Sequence, residues 1–174
     1  SGKRGNYTEA DVKDGIGFYA QSKALGEIYN TKDVTIRTSI IGPEINTNGI
    51  GLLHWFLSQP LDAKLNGYSN AFWTGLTTLE LAKVVHEVIH QNISGIIQVV
   101  PSEKINKYEL LQLFNSIFRN NQLEIADYDA YQVDKSLLFT RKEFNYRVPT
   151  YEQMLVALKT WILDHNTLYK HYSL

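Results

Sequence analysis

An α/β fold is what this sequence predicts, and three observations predict it. Apolar β-branched runs such as residues 34–41 alternate with amphipathic helical stretches, two helices open on capping boxes, and turn residues separate the elements throughout. Composition agrees, since 44% hydrophobic and 20% charged residues over 174 positions describe a chain able to bury a core.

Taken in order, residues 1–17 are polar and Gly-rich and read as a loop. A helix is expected over 18–29, ending near Asn30. Residues 34–41 (VTIRTSII), bounded by Gly42-Pro43, form a buried strand, so helix and strand together suit a parallel βαβ arrangement. Residues 49–57 are apolar and helical, and 60–70 form a loop. Thr77-Thr78-Leu79-Glu80 is a capping box that opens a helix to about residue 91. A short strand at 96–100 is stopped by Pro101. Asn106 caps a helix through 118, with Glu109 at its third position. A short strand is expected at 123–126, and Thr150-Tyr151-Glu152-Gln153 opens a last helix to 164. No repeat or low-complexity tract is present.

Charge and composition exclude several function classes. Seventeen Lys and Arg against 18 Asp and Glu leave a net charge of −1, which argues against nucleic acid or an acidic membrane as the main partner. No apolar run approaches the roughly 18 residues of a membrane span, and no signal-peptide pattern opens the chain. Zero cysteines remove disulfides, thiolate nucleophiles and Cys-bound zinc, and fit a cytosolic protein. The sequons Asn6-Tyr7-Thr8 and Asn92-Ile93-Ser94 carry no weight in an Asn-rich chain. The start, Ser1-Gly2-Lys3-Arg4-Gly5, has no leading strand and reads as though it begins in mid-domain.

Four constellations bear on chemistry. Gly15-Ile16-Gly17-Phe18-Tyr19-Ala20 matches G-x-G-x-x-A, but a dinucleotide turn needs a strand before it. The polar Glu9-Ala10-Asp11-Val12-Lys13-Asp14 is no such strand, and its acids would repel a pyrophosphate. His86-Glu87-Val88-Ile89-His90 matches H-E-x-x-H, with Glu109 spaced as a third zinc ligand. Against zinc, Leu81, Val84, Val85, Val88 and Ile89 are expected to form the buried face, leaving His86, His90, Lys83 and Glu87 as a solvated polar face. Lys83, one turn before His86, would also oppose a divalent cation.

Tyr19-Ala20-Gln21-Ser22-Lys23 is Y-x-x-x-K on a helix, so phenol and ammonium share a face. An ammonium beside a phenol favours the phenolate and readies it for proton transfer at a carbonyl or carbinol carbon. The pattern recurs at Tyr131-Gln132-Val133-Asp134-Lys135, read as a solvated loop because Asp127, Asp129 and Asp134 surround it and no helix forms. The fourth constellation, 67–75 (GYSNAFWTG), interleaves aromatic rings with amides that suit a base or a sugar. It makes Asn70 and Trp73, with His54, candidates for substrate binding.

The string Tyr19-Ala20-Gln21-Ser22-Lys23-Ala24-Leu25-Gly26-Glu27, followed by Ile36-Arg37-Thr38-Ser39-Ile40-Ile41-Gly42, resembles the extended short-chain dehydrogenases/reductases. The closest likeness is to their dTDP-4-dehydrorhamnose reductase-like sugar-nucleotide branch. Residues 1–9, 51–56 and 75–82 carry the likeness along most of the chain. The resemblance implies a Rossmann-type fold of which this chain is the C-terminal portion, with a small mixed α/β substrate-binding region. Residues 1–45 would end the NAD(P)-binding domain, and 46–174 would form the substrate-binding region with elements returning to the core. It implies NAD or NADP as cofactor and a nucleotide sugar as substrate, and leaves a homodimer open.

By that resemblance Tyr19 is the catalytic acid/base. Lys23 holds the nicotinamide ribose and tunes Tyr19, while Ser39, Ile40 and Ile41 border cofactor and sugar. The family's catalytic Ser or Thr and its Gly-rich turn would lie before Ser1, so the parent protein is expected to be longer by roughly 100 residues and this chain inactive alone. Ile40 stands where rhamnose reductases often carry Trp, and their Gly-x-Pro-Thr element is missing near Trp73, which weakens the dTDP-rhamnose substrate more than the reaction. The alternatives are a sugar-nucleotide epimerase, an H-E-x-x-H metallopeptidase and a non-catalytic sugar-binding module.

Overall fold

The computed structural model describes residues 2–174. Its elements run α1 (Phe18–Leu25), β1 (Val34–Arg37), β2 (Ile40–Ile41), α2 (Leu52–Leu57), β3 (Lys64–Tyr68), β4 (Ala71–Trp73) and β5 (Leu76–Thr77). They continue with α3 (Thr78–His90), β6 (Gly95–Gln98), β7 (Ile105–Asn106), α4 (Lys107–Arg119), β8 (Glu124–Tyr128), β9 (Val133–Asp134), α5 (Tyr151–Asp164) and a 3₁₀ turn at Asn166–Leu168.

The predicted strand over 34–41 is divided in two, and its partners explain why. β1 pairs in parallel with β6, from Val34 opposite Gly95 to Arg37 opposite Gln98, whereas β2 pairs in parallel with β5. Between them Ser39 accepts a hydrogen bond from the Leu76 amide at 2.8 Å. A Cβ on Gly75 would come within 2.4 Å of the Ser39 carbonyl oxygen, so only glycine lets the two segments approach this closely. β3 pairs in parallel with β8, and β4 lies between antiparallel β7 and parallel β9. β3 falls inside the predicted loop 60–70. Lys-Leu-Asn-Gly-Tyr buries only Leu65 and Gly67 of its five residues, too weak an alternation to stand out.

The three long helices start where their caps predict. The Thr77 side chain accepts from the Glu80 amide, and Asn106/Glu109 and Thr150/Gln153 form reciprocal capping boxes. Leu110, Phe114 and Phe118 of α4, Met154, Leu155, Leu158 and Ile162 of α5, Val84 and Val88 of α3, and Leu53 and Phe56 of α2 make one core with Ile97 and Val99. The buried face of α3 is narrower than the predicted one. Glu80, Val84 and Val88 face inward, while Val85 and Ile89 are exposed at 39% and 69%. Glu80 occupies the inner face because it accepts from Tyr146 Oη and from Lys83 Nζ at 3.1 Å, so its charge is met by donors.

α1 differs from the three long helices. It has no side-chain cap, none of its residues is buried, and it stops at Leu25 rather than Tyr29. Beyond Gly26 the chain turns back toward β1, where the Ile28 amide donates to Thr35 Oγ1 at 3.0 Å.

Candidate functional site

Tyr19 and Lys23 sit one turn apart on α1, with Lys23 Nζ 5.8 Å from the centre of the Tyr19 ring. Tyr19 is 76% exposed and borders a cleft of about 710 Å³. Thr8, Asp11, Arg37, Gln98, Lys135 and Leu137 also line it. Gln98 is buried, and its Oε1 has no hydrogen-bond partner.

A carboxylate holds α1 to the sheet. Glu27 accepts from Arg37 Nε at 2.8 Å and Nη2 at 2.7 Å, from Tyr29 Oη at 2.8 Å and from Lys13 Nζ at 3.1 Å. Burial works to raise the Glu27 carboxyl, but the Arg37, Tyr29 and Lys13 donors outweigh it and hold it at about 2. Both residues of the pair belong to the strings that carry the family resemblance, and here they act as the brace of the Tyr19 helix.

A second pocket, of about 410 Å³, lies against β4. Trp55, Tyr68, Phe72, Trp73 and Tyr131 supply rings, Asn66 an amide, and Lys107 and Lys135 the charge. Tyr68 meets Tyr128 and Tyr131 edge to face, at 5.3 Å and 5.8 Å between centres. Lys107 Nζ lies 5.1 Å from the centre of the Trp73 ring.

Of the substrate candidates, Trp73 lines this pocket, while Asn70 and His54 do other work. Asn70 shapes the neighbouring turn, donating from Nδ2 to the Asp129 carbonyl at 2.9 Å and accepting the Val133 amide at 3.0 Å. His54 is buried on α2, its Nδ1 2.8 Å from Tyr172 Oη, which also accepts the Glu44 amide at 2.9 Å. Ser39 is half-buried, Ile40 is 55% exposed and Ile41 is buried.

The second Y-x-x-x-K string is no free loop. Val133 and Asp134 form β9, and on extended backbone Tyr131, Val133 and Lys135 fall on one face, so all three line the aromatic pocket. The sequence alone placed Lys135 in a solvated loop and did not single out Lys107. The available signal was the period-two alternation of apolar and cationic residues at 131, 133 and 135.

The H-E-x-x-H residues have other engagements. His86 and His90 stack with their rings 6.3 Å apart on the outer face of α3, and Glu87 accepts from Gln91 Nε2 at 3.1 Å. Glu109 closes the α4 capping box by accepting the Asn106 amide at 3.3 Å. Among the described residues no group of three or more His, Asp or Glu side chains is placed to hold a metal ion. Gly15 and Gly17 follow no strand, and Gly17 serves as the uncapped start of α1. No helix among the described residues is long and apolar enough to cross a membrane.

No protein-family model and no curated protein matches this sequence. Solved structures do. A hypothetical dTDP-4-dehydrorhamnose reductase from Sulfolobus tokodaii matches 78% of the chain at 24% identity with a TM-score of 0.62. The dTDP-4-dehydrorhamnose reductase of Bacillus anthracis, solved with NADP, matches 92% at 13% identity and a TM-score of 0.67. A UDP-N-acetylglucosamine 4-epimerase from Methanobrevibacter ruminantium, in complex with UDP-N-acetylmuramic acid, matches 92% at 16% identity and a TM-score of 0.63. The chain spans 50% of the first of these structures and 60% of the other two. At these identities the likeness is one of fold: over part of their length, the chain shares the Rossmann-type α/β fold of the dTDP-4-dehydrorhamnose reductases and related extended short-chain dehydrogenases/reductases.

Proposed function

We propose that this chain carries the proton-transfer helix and the substrate-binding region of an NAD(P)-dependent reductase acting on a nucleotide-linked 4-keto sugar. One observation carries the reading. Tyr19, one turn from Lys23, opens onto a large cleft that shares Lys135 with the aromatic pocket. Residues 1–45 then complete the cofactor-binding side, and 46–174 hold the sugar nucleotide, with β6 returning to pair with β1.

The residues present fit a dinucleotide at this cleft. Lys23, one turn from the cleft-lining Tyr19, would bond ribose hydroxyls, and the buried Gln98 Oε1, without a partner among the described residues, can accept from an amide or hydroxyl group. When bound, NAD(P)H supplies the hydride. Tyr19 Oη donates its proton to the carbonyl oxygen as the carbinol forms, and Lys23 steadies the negative charge left on the phenol. The Glu27–Arg37 pair ties the chain just beyond α1 to β1, which anchors the C-terminal end of the segment that carries Tyr19.

The test is Tyr19→Phe in the polypeptide that also carries the nucleotide-binding half, assayed with nucleotide-linked keto sugars by loss of NAD(P)H absorbance. Turnover falls by about 10²-fold or more while cofactor affinity stays close to wild type. Wild-type turnover in that variant overturns the reading, and nucleotide-sugar binding without any reduction in the parent favours a non-catalytic module.

A further inference from the structure

α2 turns two faces to two different neighbours. Successive residues on a helix point about 100° apart. His54 is accordingly buried, while Trp55, next in the chain, is 40% exposed in the wall of the aromatic pocket. The helix has six residues and no side-chain cap, so its placement depends on contacts from outside. Leu53 and Phe56 supply burial, with the Phe56 ring 5.5 Å from that of Phe114. Apolar burial is non-directional, however, and leaves the rotation of so short a helix loosely set.

Directional contacts come from the segment that follows the 3₁₀ turn, residues 169–173. Tyr172 Oη meets His54 Nδ1 at 2.8 Å and accepts the Glu44 amide at 2.9 Å. The His171 ring lies 4.2 Å from that of Tyr172 and 5.7 Å from that of His54. Arg119 of α4 is buried and reaches both partners. One Nη donates to the Ser173 carbonyl at 2.9 Å, and the other donates to the carbonyl of Leu57, the last residue of α2.

Glu44 carries the tie to the start of α2. It stands three residues beyond Ile41 of β2, and its Oε1 accepts at 3.1 Å the amide of Gly51, on which α2 begins. The loop between is folded closely over this side chain, since a Cβ on Gly49 would come 2.4 Å from Glu44 Cγ. One tyrosine hydroxyl therefore meets both the loop that leaves β2 and the helix to which that loop leads.

We propose that Tyr172 is a positioning residue. Residues 169–173 form a strap that sets the rotation of α2 and the shape of the 42–51 loop, and so holds the Trp55 ring in the pocket wall. A phenol is required because a hydroxyl can meet an amide and an imidazole at once, which an apolar ring of the same shape cannot. That the positioned wall serves a nucleotide sugar rests on the function proposed above; the coupling of Tyr172 to Trp55 does not.

The experiment labels the 174-residue chain with 5-fluorotryptophan, the Trp55 signal being identified by its loss in Trp55→Phe. Tyr172→Phe shifts or broadens the Trp55 fluorine resonance and speeds amide exchange at Glu44, Gly51 and Trp55 by about tenfold. The Trp161 resonance and the exchange at Leu155 and Leu158 stay as in wild type. His54→Leu, which keeps the bulk, has the same effect, and His54→Asn, which keeps a hydrogen-bonding group near the Nδ1 position, restores most of the loss. An unmoved Trp55 signal in Tyr172→Phe overturns the proposal, as does faster exchange confined to Glu44. Tyr172→Phe decides alone if His54→Leu does not fold.

The consequence for the site is read in the polypeptide that also carries the nucleotide-binding half. Tyr172→Phe raises KM for the nucleotide-linked keto sugar about fivefold and leaves kcat and the KM for NAD(P)H within about twofold. A lower kcat at unchanged sugar KM reports lost folded enzyme and overturns the positioning role. Absence of any reduction by the wild-type polypeptide overturns the function proposed above, and the Trp55 signal then decides the strap by itself.

Discussion

Glu27 ties the reactive helix to the sheet through Arg37, and its carboxyl stands at about 2 against an ordinary value of 4.5. A carboxyl depressed on folding stabilises the protein above its unfolded value, and that contribution disappears as pH falls from about 4.5 toward 2. The shift corresponds to a few kcal/mol, about 3 at neutral pH, for a side chain only 13% exposed. Glu27→Gln therefore lowers stability at pH 7 by on the order of 2–3 kcal/mol, and the gap to wild type closes near pH 2; urea unfolding across this range measures it. The expectation that Tyr19 and Lys23 share a helix face was readable because α-helical spacing is local. The role of Glu27 was not, because Arg37 lies ten positions away across a turn.

Elements differ in what holds them. α4 and α5 begin with reciprocal capping boxes and bury several large side chains each, whereas α1 has neither a side-chain cap nor a buried residue. A helix of eight residues is marginal without packing. Amide hydrogen exchange in the 174-residue chain is therefore at least about 100-fold faster in α1 than at Leu155 and Leu158, and equal protection would show that α1 has partners beyond the Glu27 brace. The capped helices were legible because a cap, like a helix period, is written within a few residues. β4, β5, β7 and β9 were not. Each is two or three residues long and exists through pairing with a distant segment, as when Phe72 meets Asn106 and Asp134.

At the scale of the molecule, apolar surface collects where the proposed cofactor side would lie. Val12, Ile16, Phe18 and Leu25 are 85–93% exposed, and β1 is paired along one edge alone among the described residues. Covering these groups with a nucleotide-binding layer would fix α1 and shape the Tyr19 cleft. Accordingly, NADPH fluorescence titration of the 174-residue chain gives no tight saturable binding, and joining the nucleotide-binding half restores it. Tight binding by this chain would place the cofactor contacts elsewhere. Two layers of information can be separated. The α/β class, the capped helices and the Tyr19–Lys23 pair were legible in the residues alone, because each depends on positions within one or two turns. That Lys107 and Lys135 share one pocket, and that His54 is closed off by Tyr172, emerges in the folded chain. Strand pairing and burial join residues far apart in the chain, and no local pattern records which distant partner a short strand will find.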